Sequence, residues 1–470
     1  MALKSYIPFL FPVILCGCFS CPSDRYLTFE DYRKSLPRRK TALPAAKKVL
    51  TLAEAQQFAL AGNPDYLSAG QSVRAAKYRY YRSLSAYLPE VDFRAGAQHA
   101  LKNSHDLLNP PAGVMPRERK FSADLGIYAS LLVFDGLERE FTVLAARQET
   151  RRRQALDRNA KRLLVRAVAY AYYDAVLARE TERIARADLS FQESSLRQAE
   201  NRFRNGLVSK ASVLNFRILA NRAKSAVFNA RYRGIAARNS LCALMGFPQE
   251  DFPPELELAP LQREREELYP SLEFCLEQAA ANRPDLRAAA FLLDIAFFRK
   301  WSAYSGFLPT VRAEAGFGWG AENARYGGYQ VSRSHHNTTG FTYGVYGEWN
   351  LFKGFSTFNL IRERIVEEEL AKLHLSEMFL QAVNEVKDAW ANYRNALEQV
   401  KIYEETLAWV YEQRQLVQSE YWNGRDTITR LNGAQSDLVE AESRLAIALI
   451  ELRKAEVQLD AAMNRESAGE

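Results

Sequence analysis

The sequence predicts a mainly α-helical chain with a β-barrel part, built from a helix–strand–strand–long helix–helix unit that is written twice. Three observations predict it. The chain repeats itself at a spacing near 220 residues. Four segments alternate apolar and polar side chains with period two. Two proline-free helical stretches, the first from Gly136 to Phe203, are far longer than an ordinary globular helix.

The repeat is legible in short matches. Asn63-Pro64-Asp65-Tyr66-Leu67 returns as Arg283-Pro284-Asp285-Leu286, and Tyr87-Leu88-Pro89 as Phe307-Leu308-Pro309, both 220 residues on. Leu132-Val133-Phe134-Asp135-Gly136 returns as Asn350-Leu351-Phe352-Lys353-Gly354, and Phe203-Arg204-Asn205-Gly206 as Tyr421-Trp422-Asn423-Gly424, both 218 on. Met245 falls on Met463. A period this long marks a duplicated domain, with units at 51–246 and 271–464. Each unit is expected to open with one helix, from about Thr51 to Leu88 or from Ser271 to Leu308. Two strands follow, then a very long helix to Gly206 or Gly424. A last helix runs from about Ser209 to Met245 or from Thr427 to Met463.

The strands are expected at about 90–101, 121–134, 310–320 and 339–352. Val91, Phe93, Leu125, Ile127, Phe317, Trp319, Phe341, Tyr343 and Val345 form the apolar set. Asp92, Arg94, Asp124, Arg312, Glu314 and Glu348 fall on the other face. A charged inner face behind an apolar outer one fits a lipid-facing barrel wall. Four strands cannot close a barrel, and open edges are not tolerated in lipid. Two chains would give a barrel filled by its own side chains; three give twelve strands, the least that leaves a lumen. The long connections Lys102–Lys120 and Glu322–Thr338 suit the cell exterior, which leaves the helices on the periplasmic side.

The last helices carry the packing signal. Leu431, Ala434, Leu438, Ala441, Leu445, Ala448, Leu452, Ala455, Leu459 and Ala462 step by three and four, a heptad seam of alternating large and small knobs. The first unit keeps the register at Val213, Phe216, Ala220, Ala223, Val227, Ala230, Gly234, Ala237, Leu241 and Leu244. Gly206 and Gly424 end the long helices as C′ residues. Ser209 and Thr427 can cap the helices that follow.

Composition bounds the rest. Hydrophobic residues are 47% and charged residues 25%, as in a folded chain. The net charge of +7 is a mild excess, read as a mixed solvated surface with no nucleic-acid partner. Arg151, Arg152 and Arg153 are the densest basic cluster. No apolar stretch is long enough for a transmembrane helix, so a membrane-spanning part must be made of strands. Cys242 and Cys275 sit in apolar helical contexts and read as buried small hydrophobes. His99, His105, His335, His336 and His374 show no chelating spacing, and no phosphate loop or nucleophile motif occurs. The chain therefore reads as no enzyme, with no cofactor and no metal. At the N-terminus, Lys4, an apolar run from Tyr6 to Leu15 and then Leu15-Cys16-Gly17-Cys18 read as a signal peptide over 1–17. A lipobox cysteine, Cys18, is the expected lipidation site of an anchored segment 18–50.

This order of elements, given twice, resembles the TolC-like outer-membrane efflux protein family, and with the lipobox its lipoprotein branch. The carriers are Leu88-Pro89, Leu308-Pro309, Leu351-Phe352-Lys353-Gly354 and Tyr421-Trp422-Asn423-Gly424. The resemblance implies a homotrimer with a twelve-stranded outer-membrane barrel and a long periplasmic coiled-coil barrel. It implies docking to a periplasmic adaptor (membrane fusion) protein and an inner-membrane pump of RND or ABC type, for efflux or type I secretion. It makes 247–270, with the anchored segment and the tail 465–470, an equatorial belt. It places the periplasmic aperture and adaptor docking at Asn205, Gly206, Ser209, Tyr421, Asn423, Gly424, Arg425, Asp426 and Arg430. Where relatives often carry aspartates after the second turn, this chain has Arg430 and Gly433. A gate set by Arg425, Asp426 and Arg430 would therefore favour anions. The bland alternative is Arg430 pairing with Asp437 or another surface acid. The rival function is a lipid-anchored coiled-coil envelope scaffold or adhesin that conducts nothing.

Overall fold

A computed structural model of the chain describes residues 49–103, 117–247, 257–259, 271–327 and 332–465. Strand β1 (Val49–Leu50) leads into helices α1 (Leu52–Gly62) and α2 (Pro64–Leu84). Strands β2 (Glu90–Asn103) and β3 (Arg117–Phe134) follow, then α3 (Glu138–Arg204) and α4 (Lys210–Leu244). After β4 (Glu257–Leu258) come α5 (Leu272–Asn282), α6 (Pro284–Tyr304), β5 (Thr310–Gly327), β6 (Ser332–Glu348), α7 (Ser356–Trp422) and α8 (Ile428–Met463). The expected signal peptide, the expected lipidation site Cys18 and most of the segment expected to be anchored lie outside the described residues, as does most of 247–270.

The single first helix expected in each unit is two. Pro64 occupies the first position of α2, where its missing N–H is no loss. The residue before a proline is pushed out of the helical region, and Asn63 is extended, with φ −71° and ψ 120°. Its N–H closes α1 on the Ala59 carbonyl at 2.8 Å. Its Oδ1 accepts from the Tyr66 N–H at 3.1 Å. Arg283 and Pro284 break the second unit at the same place.

The strands also differ from expectation at their far ends. Most of the stretch expected as the loop Glu322–Thr338 is strand, with His336 opposite Glu322 and His335 opposite Asn323. Ladder hydrogen bonds need no apolar side chain, so a strand continues where both faces are wet and the alternation stops. Strand β6 ends at Glu348, not 352. The four strands form one antiparallel sheet in the order β2-β3-β5-β6. Its register sets Phe93, Ile127, Phe317 and Phe341 side by side on one face.

Helices α3 and α7 have 67 residues each, about 100 Å at 1.5 Å per residue. Each pairs with the shorter helix after it. All ten seam positions of α8 are buried. In α4 the seam is buried at Val213, Phe216, Ala220, Ala223, Ala230 and Leu241, and only partly at Val227, Gly234, Ala237 and Leu244. One core gathers Leu164, Val168 and Tyr172 of α3 with Cys242 and Met245. Its counterpart gathers Val386, Tyr393, Leu459 and Met463 with Cys275. Both thiols are buried, and burial pushes Cys242 up to about 11. Strands β1 and β4 pair in parallel beside the first core, where the Tyr172 hydroxyl donates to the Leu50 carbonyl at 2.9 Å.

Candidate functional site: the barrel wall and the helical mouth

The sheet register places Asp92, Arg94, Asp124, Arg312, Glu314 and Glu348 on one face, opposite the Phe93 row. Arg94 pairs with Asp92 at 3.3 Å and lies over the Tyr128 ring at 5.0 Å. Gly126, Gly316, Gly318 and Gly320 share this face. The Tyr128 ring lies across two of them: a Cβ at Gly126 or Gly316 would stand 3.0 or 2.7 Å from it.

At the sheet's helical end, the backbone turns sharply into each long helix. Gly136 and Leu137 both take left-handed φ of 71°, and Gly354 and Phe355 take 58° and 64°. Arg139 braces the first of these turns. Its guanidinium donates to the Leu132 carbonyl at 2.8 Å and the Ala86 carbonyl at 3.2 Å, and covers the Tyr87 ring at 4.2 Å.

The opposite end holds the two helical turns. Asn205 and Asn423 are the C-caps, and Gly206 and Gly424 follow with φ of 73° and 74°. Leu207 N–H reaches back to the Arg202 carbonyl at 2.9 Å, and Arg425 N–H to the Glu420 carbonyl at 2.9 Å. Each turn is thus a Schellman motif. Ser209 and Thr427 accept from the N–H groups of Ser212 and Arg430. Behind the turns, Phe216, Tyr421, Leu431 and Ala199 form a small core, with the Phe216 and Tyr421 rings 6.3 Å apart.

Polar bridges join the two helix pairs above this core. Gln435, buried, donates to Asp188 at 2.9 Å and accepts from Arg414 at 3.1 Å. Asn432 donates to Asn215 at 3.2 Å. Arg202 lies 4.9 Å over the Trp422 ring and donates to the Trp422 carbonyl. Arg430 meets an acid, and that acid is Asp426, at 3.5 Å. The Asp426 side chain is largely covered and also accepts from the Thr427 N–H at 2.7 Å. Arg151, Arg152 and Arg153 have ordinary partners on their own helix: Arg152 and Arg153 share Glu149, and Arg151 donates to Gln148.

Sequence reasoning missed a buried ionic tie near the middle of the chain. Arg283 grips Asp285 through two bonds, at 3.1 and 2.6 Å, and reaches Glu385 at 2.8 Å. Arg162 of the first unit donates to the Asp285 carboxylate at 3.1 Å and to the Ala461 carbonyl at 2.9 Å. Burial alone would raise the Asp285 carboxyl. The bonds and charge of Arg283, with the charge of Arg162, hold it below its usual range. The available signal was the repeat itself, which sets a charged Arg283 where the first unit has Asn63.

Among the described residues, no group of three or more His, Cys, Asp or Glu could hold a metal ion. No described helix is long and apolar enough to cross a membrane.

Comparison with known proteins agrees with this architecture. The profile of the "Outer membrane efflux protein" family matches residues 55–247 and 275–465. Outer membrane protein TolC of Vibrio cholerae serotype O1 is 24% identical over 423 residues, covering 86% of this chain and 90% of the relative. The Campylobacter jejuni CmeC outer membrane channel superposes with a TM-score of 0.75 at 14% identity, over 91% of this chain and 93% of that one. The outer-membrane channel OprN gives 0.74 at 20% identity, over 88% and 90%. The match favours a channel over a non-conducting scaffold. A duplicated unit, a sheet with one apolar and one charged face and 67-residue helices together say what the family profile says: the chain belongs to the outer membrane efflux protein family, as an outer-membrane channel with a periplasmic helical tunnel.

Proposed function

We propose that three copies close into one passive exit duct, the outer-membrane component of a tripartite efflux or type I secretion system. The observation that carries the reading is the pair of sheet edges. Among the described residues, strands β2 and β6 each pair on one side only, and the apolar Phe93 row is exposed. In a bilayer such edges must pair, and β6 of one copy runs antiparallel to β2 of the next. Twelve strands follow, with Asp92, Arg94, Asp124, Arg312, Glu314 and Glu348 facing the lumen. The Gly206 and Gly424 turns form the periplasmic aperture, where an adaptor protein docks and hands over cargo from an inner-membrane pump. Acylation of Cys18 adds a lipid anchor. Arg425, Asp426 and Arg430 set the charge of the aperture, and the Asp426–Arg430 pair leaves it net cationic.

Planar-bilayer conductance of the purified full-length protein tests the duct. Discrete channel events are expected, with a reversal potential in a salt gradient that leans toward anions. Arg430→Asp should move that potential toward cations; an unchanged value counts against the gate. Silence that persists after the helical tips are loosened would sink the duct itself.

A further inference from the structure

The sheet face that carries Phe93, Ile127, Phe317 and Phe341 changes character toward the end away from the helices. Along β3 every second residue is apolar, from Leu131 through Ala129, Ile127, Leu125 and Ala123 to Phe121. Along β5 the same holds from Val311 to Ala321. Each run covers about 33 Å of strand at 3.3 Å per residue, and about 25 Å of depth at a strand tilt near 40°. The apolar band of an outer-membrane barrel is about 25 Å tall. These runs therefore fill the hydrocarbon, and the positions beyond them stand at the level of the lipid headgroups.

There the register makes two polar rows. His99, Phe121, Asn323 and His335 lie side by side, and Leu101, Arg119, Arg325 and Arg333 form the next row out. Arg119 and Arg325 are direct ladder partners, and so are Arg325 and Arg333. All three positions lie an even number of residues from the Phe93 row, so strand alternation puts them on the same face as that row. Adjacent strands are about 4.8 Å apart, so three arginine positions fall within about 10 Å. Like charges directly opposite one another destabilise a sheet. No acid stands in either row. The acids of the same stretch, Glu118 and Glu322, occupy positions of the other face, where Glu322 is bonded to Lys120 at 2.8 Å. Arg119 is exposed. An anion lying across the row would turn its repulsion into attraction.

We propose that Arg119, Arg325 and Arg333 form a binding site for the phosphate groups of an outer-leaflet lipid, one site in each copy. A guanidinium offers two parallel N–H donors that match phosphate oxygens. Three in a row suit a headgroup that carries more than one phosphate. The acyl chains of the same lipid lie along the apolar run below, over Phe121 and Ile127, so one face meets both halves of the amphiphile. A free anion would meet the arginines alone. The row faces away from the charged lumen face, so cargo in the duct does not reach it. Strands β3, β5 and β6 belong to one copy, and the site is complete without a neighbour.

The inference rests on the reading of the aromatic face as the lipid face, and its test separates the two. Purified full-length protein in neutral detergent is mixed with bisphosphorylated lipid A or with lipid A stripped of its phosphates, and native mass spectrometry reads the lipid retained. The wild type should hold the phosphorylated form, and Arg119→Gln/Arg325→Gln/Arg333→Gln should release it. Arg325→Gln alone, at the middle of the row, should weaken retention about tenfold, and it decides the matter if the triple variant fails to insert. Lys120→Gln, at the same level on the other face, should leave retention unchanged. Equal retention of both lipids by the wild type, or of phosphorylated lipid A by wild type and variants, overturns the site. Displacement of the lipid by millimolar inorganic phosphate would reduce it to a free-anion site and overturn the lipid assignment. Release by Lys120→Gln with full retention by Arg325→Gln would overturn the sidedness of the sheet itself, and the site with it.

Discussion

Gly246 shows how a single position can tie two helices. Its φ is +72°, and a Cβ there would stand 2.2 Å from the Gly62 carbonyl oxygen. Its equivalent, Asn464, also takes a left-handed φ, of 53°, but its side chain donates to the Asn282 carbonyl at 3.1 Å. Gly246→Ala should combine backbone strain with overpacking and cost about 3 kcal/mol. At Gly206 no atom lies within 4 Å of the added Cβ, so Gly206→Ala should cost only the left-handed strain, about 1–2 kcal/mol. Denaturant unfolding in detergent ranks the two, and equal losses would contradict the account. The buried Asp285 is the other sensitive residue. Replacing it with Asn leaves the buried Arg162 without its carboxylate and Arg283 with Glu385 alone, at about 3–5 kcal/mol. Its folded pKa is depressed, so the tie contributes fully above the ordinary carboxylate pKa. That contribution is lost as pH falls through the lower folded value. Wild-type stability should therefore fall more steeply with acid than that of Asp285→Asn, and parallel pH profiles would argue against the tie.

Elements were legible where a period carried them. The seam of α8 reads directly from Leu431 to Ala462, and every position in it is buried. Pro64 and Pro284 were also in plain sight. The expected single helix ran through them because the 3.6-residue pattern resumes in phase beyond the break. The strands beyond Leu101 and Glu322 were not legible, because hydrogen-bonded ladders in water leave no apolar alternation to read. Nor could the sequence show that Arg162, Arg283, Asp285 and Glu385 converge, since they come from three helices and no local pattern links them. At the mouth, the sequence showed the Gly206 and Gly424 turns but not the core behind them. Phe216 is fully buried there against Tyr421. Phe216→Ala should remove about 3–5 kcal/mol from that end, while the cores around Val168 and Val386 stay intact. Limited proteolysis should then cut first near the 205–209 turn. Cleavage spread evenly along α3 and α4 would mean that the tips are not held separately.

For the whole molecule, the sheet and the helices impose different demands on one chain. The helices of one copy can pair in water, but a sheet with two open edges cannot stay single in lipid. Assembly is therefore decided at the barrel, and its two faces should respond differently to the same charge. Ile127 stands in the apolar row between Phe93 and Phe317, and Asp124 lies three residues away on the charged face. Ile127→Lys places an ammonium against hydrocarbon in every copy, a cost of about 2–4 kcal/mol each near the bilayer midplane. Gel mobility in mild detergent should show the trimer lost, while circular dichroism keeps the helical signal. Asp124→Lys meets water, so the trimer should survive and the reversal potential should shift toward anions. The opposite result, an assembled Ile127→Lys and a dispersed Asp124→Lys, would mean that the sheet curls the other way, with its aromatic row inward. A barrel of that kind would have no aqueous lumen, so this one comparison tests the sidedness of the wall and the conducting role together.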